Sequence, residues 1–244
     1  MDFDKKLIIK LKEANSIVFF TGAGISAESG ISTFRGKDGL WNKLKPEELA
    51  NFDAFMKNPN MVWEWYQYRR DIISRTKPNA GHETIVKFEK IFNVTVVTQN
   101  VDNLHGRAGS KNIYELHGNI ERNFCIDCKT FFSEDEIMSG QNVRACKMCG
   151  GMIRPDVVWF GENLPQDIFN KAEQKAKECD ICFIVGTSAV VYPAAHIPIT
   201  AKQNGAYLVE INIEQTEITS NVDCLLLGKS GEVLPKLLAT INED

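Results

Sequence analysis

Four cysteines stand in two close pairs, Cys125-x-x-Cys128 and Cys146-x-x-Cys149, with residues 129–145 between the pairs. Thiolates at that spacing can close a tetrahedron round a single zinc ion and leave no coordination position open. The spacing therefore predicts one structural Zn2+ and not a catalytic one. Two redox pairs or two free-thiol turns are the alternative readings. Cys179, Cys182 and Cys224 include a further C-x-x-C, but Cys182 lies in an apolar run and Cys179 in the turn before it, so they read as core thiols.

A second chemistry is written in Gly22-Ala23-Gly24-Ile25-Ser26-Ala27, which fits G-x-G-x-x-G/A after a strand-like run. Glycines there let backbone approach a pyrophosphate, and a helix opening behind them favours its negative charge. A plain tight turn would leave the same pattern. An ordinary dehydrogenase needs an acidic residue roughly 20 positions on. Glu28 comes too early for that, and Asp38 lies in a glycine-rich loop.

Among the four histidines, His117 has the context that suits proton transfer. An unperturbed imidazole titrates at about 6.5, so it can accept a proton at neutral pH, and Gly118 beside it permits close approach. His82 and His105 fall at expected helix starts and read as capping or structural groups; His196 sits in a helical pattern.

Val62, Trp65, Tyr66, Arg69, Ile72 and Ile73 share one face of an expected helix, with Arg69 as the charge on that stripe. A buried guanidinium calls for an anionic partner. An internal carboxylate or snorkelling would satisfy it. So would a carboxylate on a substrate, for which the arginine fork and a tyrosine hydroxyl are well suited.

The elements that position these residues alternate. Strand-like runs at Ser16 to Phe20, Asn93 to Thr98, Asp180 to Val185, Ala206 to Ile211 and Asp223 to Leu227 are separated by helical patterns. Those patterns run over Lys5 to Ala14, His82 to Phe92, Asp167 to Lys177, Ala194 to Gln203 and Glu232 to Ile241. This rhythm predicts an α/β fold, a Rossmann-like doubly wound parallel sheet with ligands at the carboxyl ends of its strands. Two segments break it and predict a smaller lobe made of a helical insertion (36–80) and a zinc-ribbon module (121–155). The Rossmann-like domain would then comprise 1–35, 81–120 and 156–244.

The 244 residues, 43% apolar and 25% charged, suffice for a core that needs no metal overall, so any metal site should be local. A net charge of −4 without a basic stripe speaks against dedicated nucleic-acid binding. No run approaches the roughly 18 apolar residues of a membrane span. The N-terminus lacks a signal-peptide pattern, and seven cysteines, four of them paired for metal, suggest a cytoplasmic setting.

The loop of Gly22 to Ile31, then Phe34-Arg35-Gly36, Thr98-Gln99-Asn100-Val101-Asp102-Asn103-Leu104-His105 and Glu115-Leu116-His117-Gly118 occur in one order along the chain. In that order the sequence resembles the sirtuin family over nearly its whole length. Ser32 stands where many members carry proline. The resemblance implies an NAD-dependent protein-lysine deacylase that consumes NAD and releases nicotinamide and O-acyl-ADP-ribose. The acyl-lysine oxygen would attack the nicotinamide ribose, and a histidine would then help a ribose hydroxyl to attack the resulting alkylimidate.

It implies His117 and Asn100 as catalytic. Cofactor contacts would come from Gly22, Ala23, Gly24, Ser26, Glu28, Phe34, Arg35, Trp41, Gln99, Asn100, Val101 and Asp102. Further contacts would come from Gly186, Thr187, Ser188, Asn212, Ile213, Glu214 and Ser230. Acyl-lysine proteins would bind as an extended strand between 160–162 and 190–193, with Val158 and Phe160 lining the acyl-lysine tunnel. Tyr66 and Arg69 resemble the pair of the desuccinylase and demalonylase class, with some deacetylase activity expected to remain. Mono-ADP-ribosyl transfer, plain deacetylation and a non-catalytic zinc-ribbon module are the competing readings.

Overall fold

The computed structural model describes residues 3–33, 45–132 and 145–243. Among them, nine strands form two sheets: β1 (Ser16–Thr21), β2 (Asn93–Thr98), β3 (Ile113–Glu115), β4 (Gly118–Cys125), β5 (Phe131–Phe132), β6 (Ile153–Val157), β7 (Ile181–Val185), β8 (Tyr207–Asn212) and β9 (Cys224–Leu227). The larger sheet is parallel throughout, in the order β3-β2-β1-β7-β8-β9. Its strands carry apolar residues on both faces because helices cover both. Ile17 and Phe19 of β1 pack with Ile85, Phe88 and Leu234, whereas Val18 and Phe20 pack on the other side with Ala172, Ile184 and Ile197. The Phe19 and Phe183 rings stack at 4.9 Å across the β1–β7 pair. Burying one such ring stabilises the fold by about 2–3 kcal/mol.

The order runs outward from β1 in one direction and from β7 in the other. Connections therefore diverge between these two strands and leave a crevice at their carboxyl ends. The expected helices are present with shifted ends. Asn79 starts the Ala80–Phe88 helix through a capping box: its side chain accepts from the Gly81 N–H at 2.9 Å, and His82 Nδ1 accepts from the Asn79 N–H at 3.4 Å.

The smaller antiparallel sheet has the order β5-β4-β6. Beside it lies the Pro59–Ser74 helix, opened by Asn58 and by proline in its first turn. This helix buries Val62, Trp63, Tyr66, Arg69, Arg70 and Ile73. The sequence stripe is thus corrected at four positions: Trp63 and Arg70 are buried, and Trp65 and Ile72 are only half-buried. Trp63 Nε1 donates to the Ile153 carbonyl of β6 at 3.2 Å, and for Arg70 the cause lies in β4, whose register shifts between Asn119 and Asn123 and frees backbone carbonyls. Arg70 Nε donates to the Ile120 carbonyl at 2.6 Å, and its Nη2 to Asn123 Oδ1 at 2.5 Å. Among the described residues no helix is long and apolar enough to cross a membrane.

Candidate active site

At the crevice the chain brings its two glycine loops into contact. Gly24 donates its N–H to the Gly186 carbonyl at 2.8 Å, and Gly22 to the Val185 carbonyl at 3.0 Å. Gly186 has φ +59, and a Cβ there would sit 2.4 Å from the Ile25 nitrogen; one on Gly24 would sit 2.6 Å from the Gly186 Cα. Only glycine fits at either place. The Ala23–Ala27 helix opens at this point with no side-chain cap at Gly22, so the positive end of its dipole lies at the crevice. A diphosphate fits this cradle of backbone and small side chains.

The segment after β2 supplies polar groups. Asn100 Nδ2 donates to the Gly22 carbonyl at 3.0 Å and to Ser26 Oγ at 3.2 Å, and Ser26 Oγ donates to Asp102 Oδ2 at 2.7 Å. The second Asp102 oxygen accepts the Leu104 N–H at 3.0 Å. Burial nevertheless pushes the Asp102 carboxyl above its usual value, against these bonds and the charges of Arg69 and Arg107. Gln99 Nε2 reaches Thr187 Oγ1 at 2.9 Å and so joins the β2 and β7 loops. Val101 is half-buried, and its carbonyl accepts the Ile120 N–H at 2.9 Å.

His117 stands where the large sheet passes into the small one. Its Nδ1 is 2.9 Å from the Gln99 carbonyl, and its own carbonyl accepts the Val158 N–H at 2.9 Å. Gly118, at φ +80, lets the chain turn against β6, since a Cβ would lie 2.2 Å from the Asp156 carbonyl oxygen. A carbonyl can only accept, so Nδ1 carries the ring proton and Nε2 keeps its lone pair. Burial lowers the His117 pKa below the ordinary histidine value, and the Gln99 bond opposes that shift.

On the neighbouring helix, Tyr66 accepts from Trp159 Nε1 at 2.7 Å. Burial raises the phenol pKa well above the ordinary value, so it remains a donor. Arg69 is buried, and its charge interacts with Asp102, then with Tyr66 and Tyr68; burial itself lowers the guanidinium pKa. Asp102 is thus an internal carboxylate that feels the Arg69 charge.

Sequence reasoning did not single out Trp159, although a buried indole N–H needs an acceptor and that requirement was its signal. Arg154 stacks over the Trp159 ring at 3.3 Å and pairs with Glu162, whose Oε2 accepts the backbone N–H of Trp159 at 2.8 Å. Phe160 is 45% exposed and bridges in parallel to Asn51, while 190–193 form no strand.

At the far end of the crevice, Asn212 Nδ2 donates to the Thr187 carbonyl at 3.3 Å, and Ile213 and Glu214 are exposed. Ser188 is half-buried beside them in sequence. Glu28 and Ser230 meet: Glu28 Oε1 accepts from Ser230 Oγ at 3.0 Å and from the Gly231 N–H at 2.9 Å. Phe34, Arg35 and Trp41 lie outside the described residues. Separately, the four sulfurs of Cys125, Cys128, Cys146 and Cys149 lie within 4.8 Å of one another. A tetrahedral thiolate site with metal–sulfur bonds of about 2.3 Å has sulfurs about 3.8 Å apart, so the set fits one metal ion.

Known proteins share this arrangement. A curated relative from Aquifex aeolicus, an NAD-dependent protein deacylase, is 50% identical over 229 residues, covering 93% of this chain and 96% of the relative. The NAD-dependent protein deacylase of Pyrococcus furiosus is 50% identical over 237 residues, with 95% of each chain covered. A solved Sir2 homolog–NAD complex superposes with a TM-score of 0.92 at 43% identity, covering 99% of this chain and 95% of that one. A solved Sir2–p53 peptide–NAD+ complex does so with a TM-score of 0.87 at 31% identity, covering 98% and 99%. Residues 22–193, from the first glycine loop past His117 to the end of the 190–193 segment, match the Sir2 family. The chain belongs to the Sir2 family.

Proposed function

We propose that this protein is an NAD-dependent protein-lysine deacylase, with His117 as general base and a preference for acidic acyl groups. The His117–Gln99 contact carries the first part, because it leaves Nε2 as the one ring nitrogen able to take a proton. The names of the relatives support the same activity. NAD would supply the ADP-ribose that receives the acyl group, with nicotinamide as leaving group.

Gly22, Ala23, Gly24, Gly186, Thr187 and Ser188 would hold the phosphates and adenine ribose. Ser26, Gln99, Asn100, Val101 and Asp102 would surround the nicotinamide ribose, with Asn100 acting in catalysis. Asn212, Ile213 and Glu214 would bound the adenosine end, closed by the Glu28–Ser230 pair. From sequence alone, Phe34, Arg35 and Trp41 would join them. One structural zinc ion would occupy the four cysteines. We assign 1–35, 81–120 and 156–244 to the NAD-binding domain, and 36–80 with 121–155 to the small one. With none of the seven cysteines in a disulfide, a reducing cytoplasm would suit the chain.

Protein substrates would bind as an extended strand near Phe160, with Val158 and Phe160 along the lysine side chain. The Tyr66 oxygen already accepts from Trp159, so its own hydrogen is available to a carboxylate. Arg69 would supply the charge. A succinyl or malonyl group meets both, and an acetyl group meets neither. Matched succinyl-lysine and acetyl-lysine peptides should give a higher kcat/KM for succinyl; equal or better acetyl turnover would remove the acidic preference.

A further inference from the structure

Beneath the crevice runs a chain of buried hydroxyls that the reaction described above leaves unused. Thr21 ends β1 and Thr98 ends β2, and the two are register partners. Thr21 Oγ1 donates to Thr98 Oγ1 at 2.9 Å, and Thr98 Oγ1 accepts the backbone N–H of Asn100 at 3.0 Å. On the other side, Thr21 Oγ1 is 3.0 Å from His105 Nε2. All three side chains are buried.

The direction of this chain follows from counting protons. The Thr21 hydrogen goes to Thr98, so the Thr21 oxygen is left to accept, and His105 Nε2 must be the donor. His105 Nδ1 is buried and has no hydrogen-bond partner among the described residues. With the proton on Nε2, that orphan is a lone pair; with the other tautomer it would be an N–H, which is rarer and costlier to bury. The His82 ring lies edge-on to His105 at 4.8 Å, and burial with this neighbour disfavours a charged His105.

We propose that His105 is a positioning residue for the reaction. As a neutral donor it fixes the rotor of Thr21, which fixes Thr98, which holds the Asn100 backbone. The same short segment carries the Gln99 carbonyl that orients His117. Without the donor, Thr21 can turn its hydroxyl either way, and the 99–102 segment loses its floor. Asn100 and His117 would then sit less well, while the glycine cradle for the diphosphate, built on Gly22, Gly24 and Gly186, would stay in place. Displacements of about 1 Å at a reacting group cost up to about 100-fold in rate.

This inference rests on the deacylase reading. The test is kcat and KM, for NAD and an acyl-lysine peptide, in wild type, His105→Phe, His105→Gln, Thr21→Val and the His105→Phe/Thr21→Val double variant. We expect His105→Phe and Thr21→Val each to lower kcat about tenfold, with KM for NAD within about twofold, and the double variant to lose no more than either alone. Glutamine, whose amide can donate from the Nε2 side, should recover most of kcat. Full kcat in Thr21→Val, additive losses, or His105→Gln as impaired as His105→Phe would overturn the proposal; Thr21→Val is near isosteric and tests it even if His105→Phe does not fold. Wild type inert toward NAD and peptide would instead sink the deacylase reading on which it stands.

Discussion

His117 Nδ1 lies 2.9 Å from the Gln99 carbonyl oxygen, and this contact decides which ring nitrogen can work as a base. It ties His117, the proposed base, to the segment that also carries Asn100 and Asp102. The glycine loops, that segment and His117 all stand at the carboxyl ends of parallel strands, so the sheet itself sets their spacing.

Activity should therefore follow the neutral form of His117. Burial depresses its pKa below the ordinary value of about 6.5. kcat/KM should rise as pH climbs through that depressed value and be flat at neutrality. An acid limb centred above about 6.5 would contradict the assignment. His117→Ala should lower kcat/KM by at least about 100-fold with an unchanged Tm.

Arg69 and Tyr66 should act on the acyl group selectively. A charge-assisted hydrogen bond contributes about 1.5–3 kcal/mol, so Arg69→Met should lower desuccinylation kcat/KM roughly 10- to 100-fold. Deacetylation should change much less. Because the Arg69 charge also interacts with Asp102, parallel losses on both substrates would show that its role is internal.

Gly186 tolerates no side chain. Gly186→Ala puts a Cβ against the Ile25 nitrogen at positive φ. Backbone strain and overpacking together should cost about 3 kcal/mol of stability and raise KM for NAD by tenfold or more. Denaturant unfolding and NAD titration check this; wild-type values in both would refute the cradle.

Chelating the zinc proposed for the four cysteines should unfold the ribbon, not remove a reacting group. The ribbon strands continue from Gly118, next to His117, so activity should fall together with local protection of β4 and β6 in hydrogen exchange. Full activity with all four cysteines replaced would contradict the structural role.

Stability should drop in acid because of His82, whose pKa is pushed down to about 4 by burial. A histidine depressed on folding contributes full stability above its unfolded value of about 6.5. The contribution is lost as pH falls through the folded value and amounts to about 3 kcal/mol. His82→Asn, which keeps an acceptor on the Nδ1 side, should flatten the unfolding free energy between pH 6.5 and 4; an unchanged slope would assign the acid loss elsewhere.

Much of this fold is legible in local pattern. Runs such as Ser16 to Phe20 and Ile181 to Val185 are apolar on both faces, as only sheet-core strands are. Cysteine spacing marked the four sulfurs that the fold gathers. Local pattern fails where a residue answers to a distant partner. β3 is three half-buried residues whose strand character comes from pairing with β2. Arg70 is buried because β4 slips its register, and Glu28 meets Ser230 across 202 positions. His105, read as capping or structural, stands at a helix start and reaches Thr21 on β1, a partner no local pattern names. In each case a long-range contact overrides the local preference.

The most direct measurement is mass spectrometry of a succinyl-lysine peptide incubated with the protein, with and without NAD. The account predicts loss of succinyl only with NAD, with one nicotinamide and one succinyl-ADP-ribose formed per lysine freed. Acyl loss without NAD, or nicotinamide release with ADP-ribose transferred to protein and no acyl lost, would contradict it.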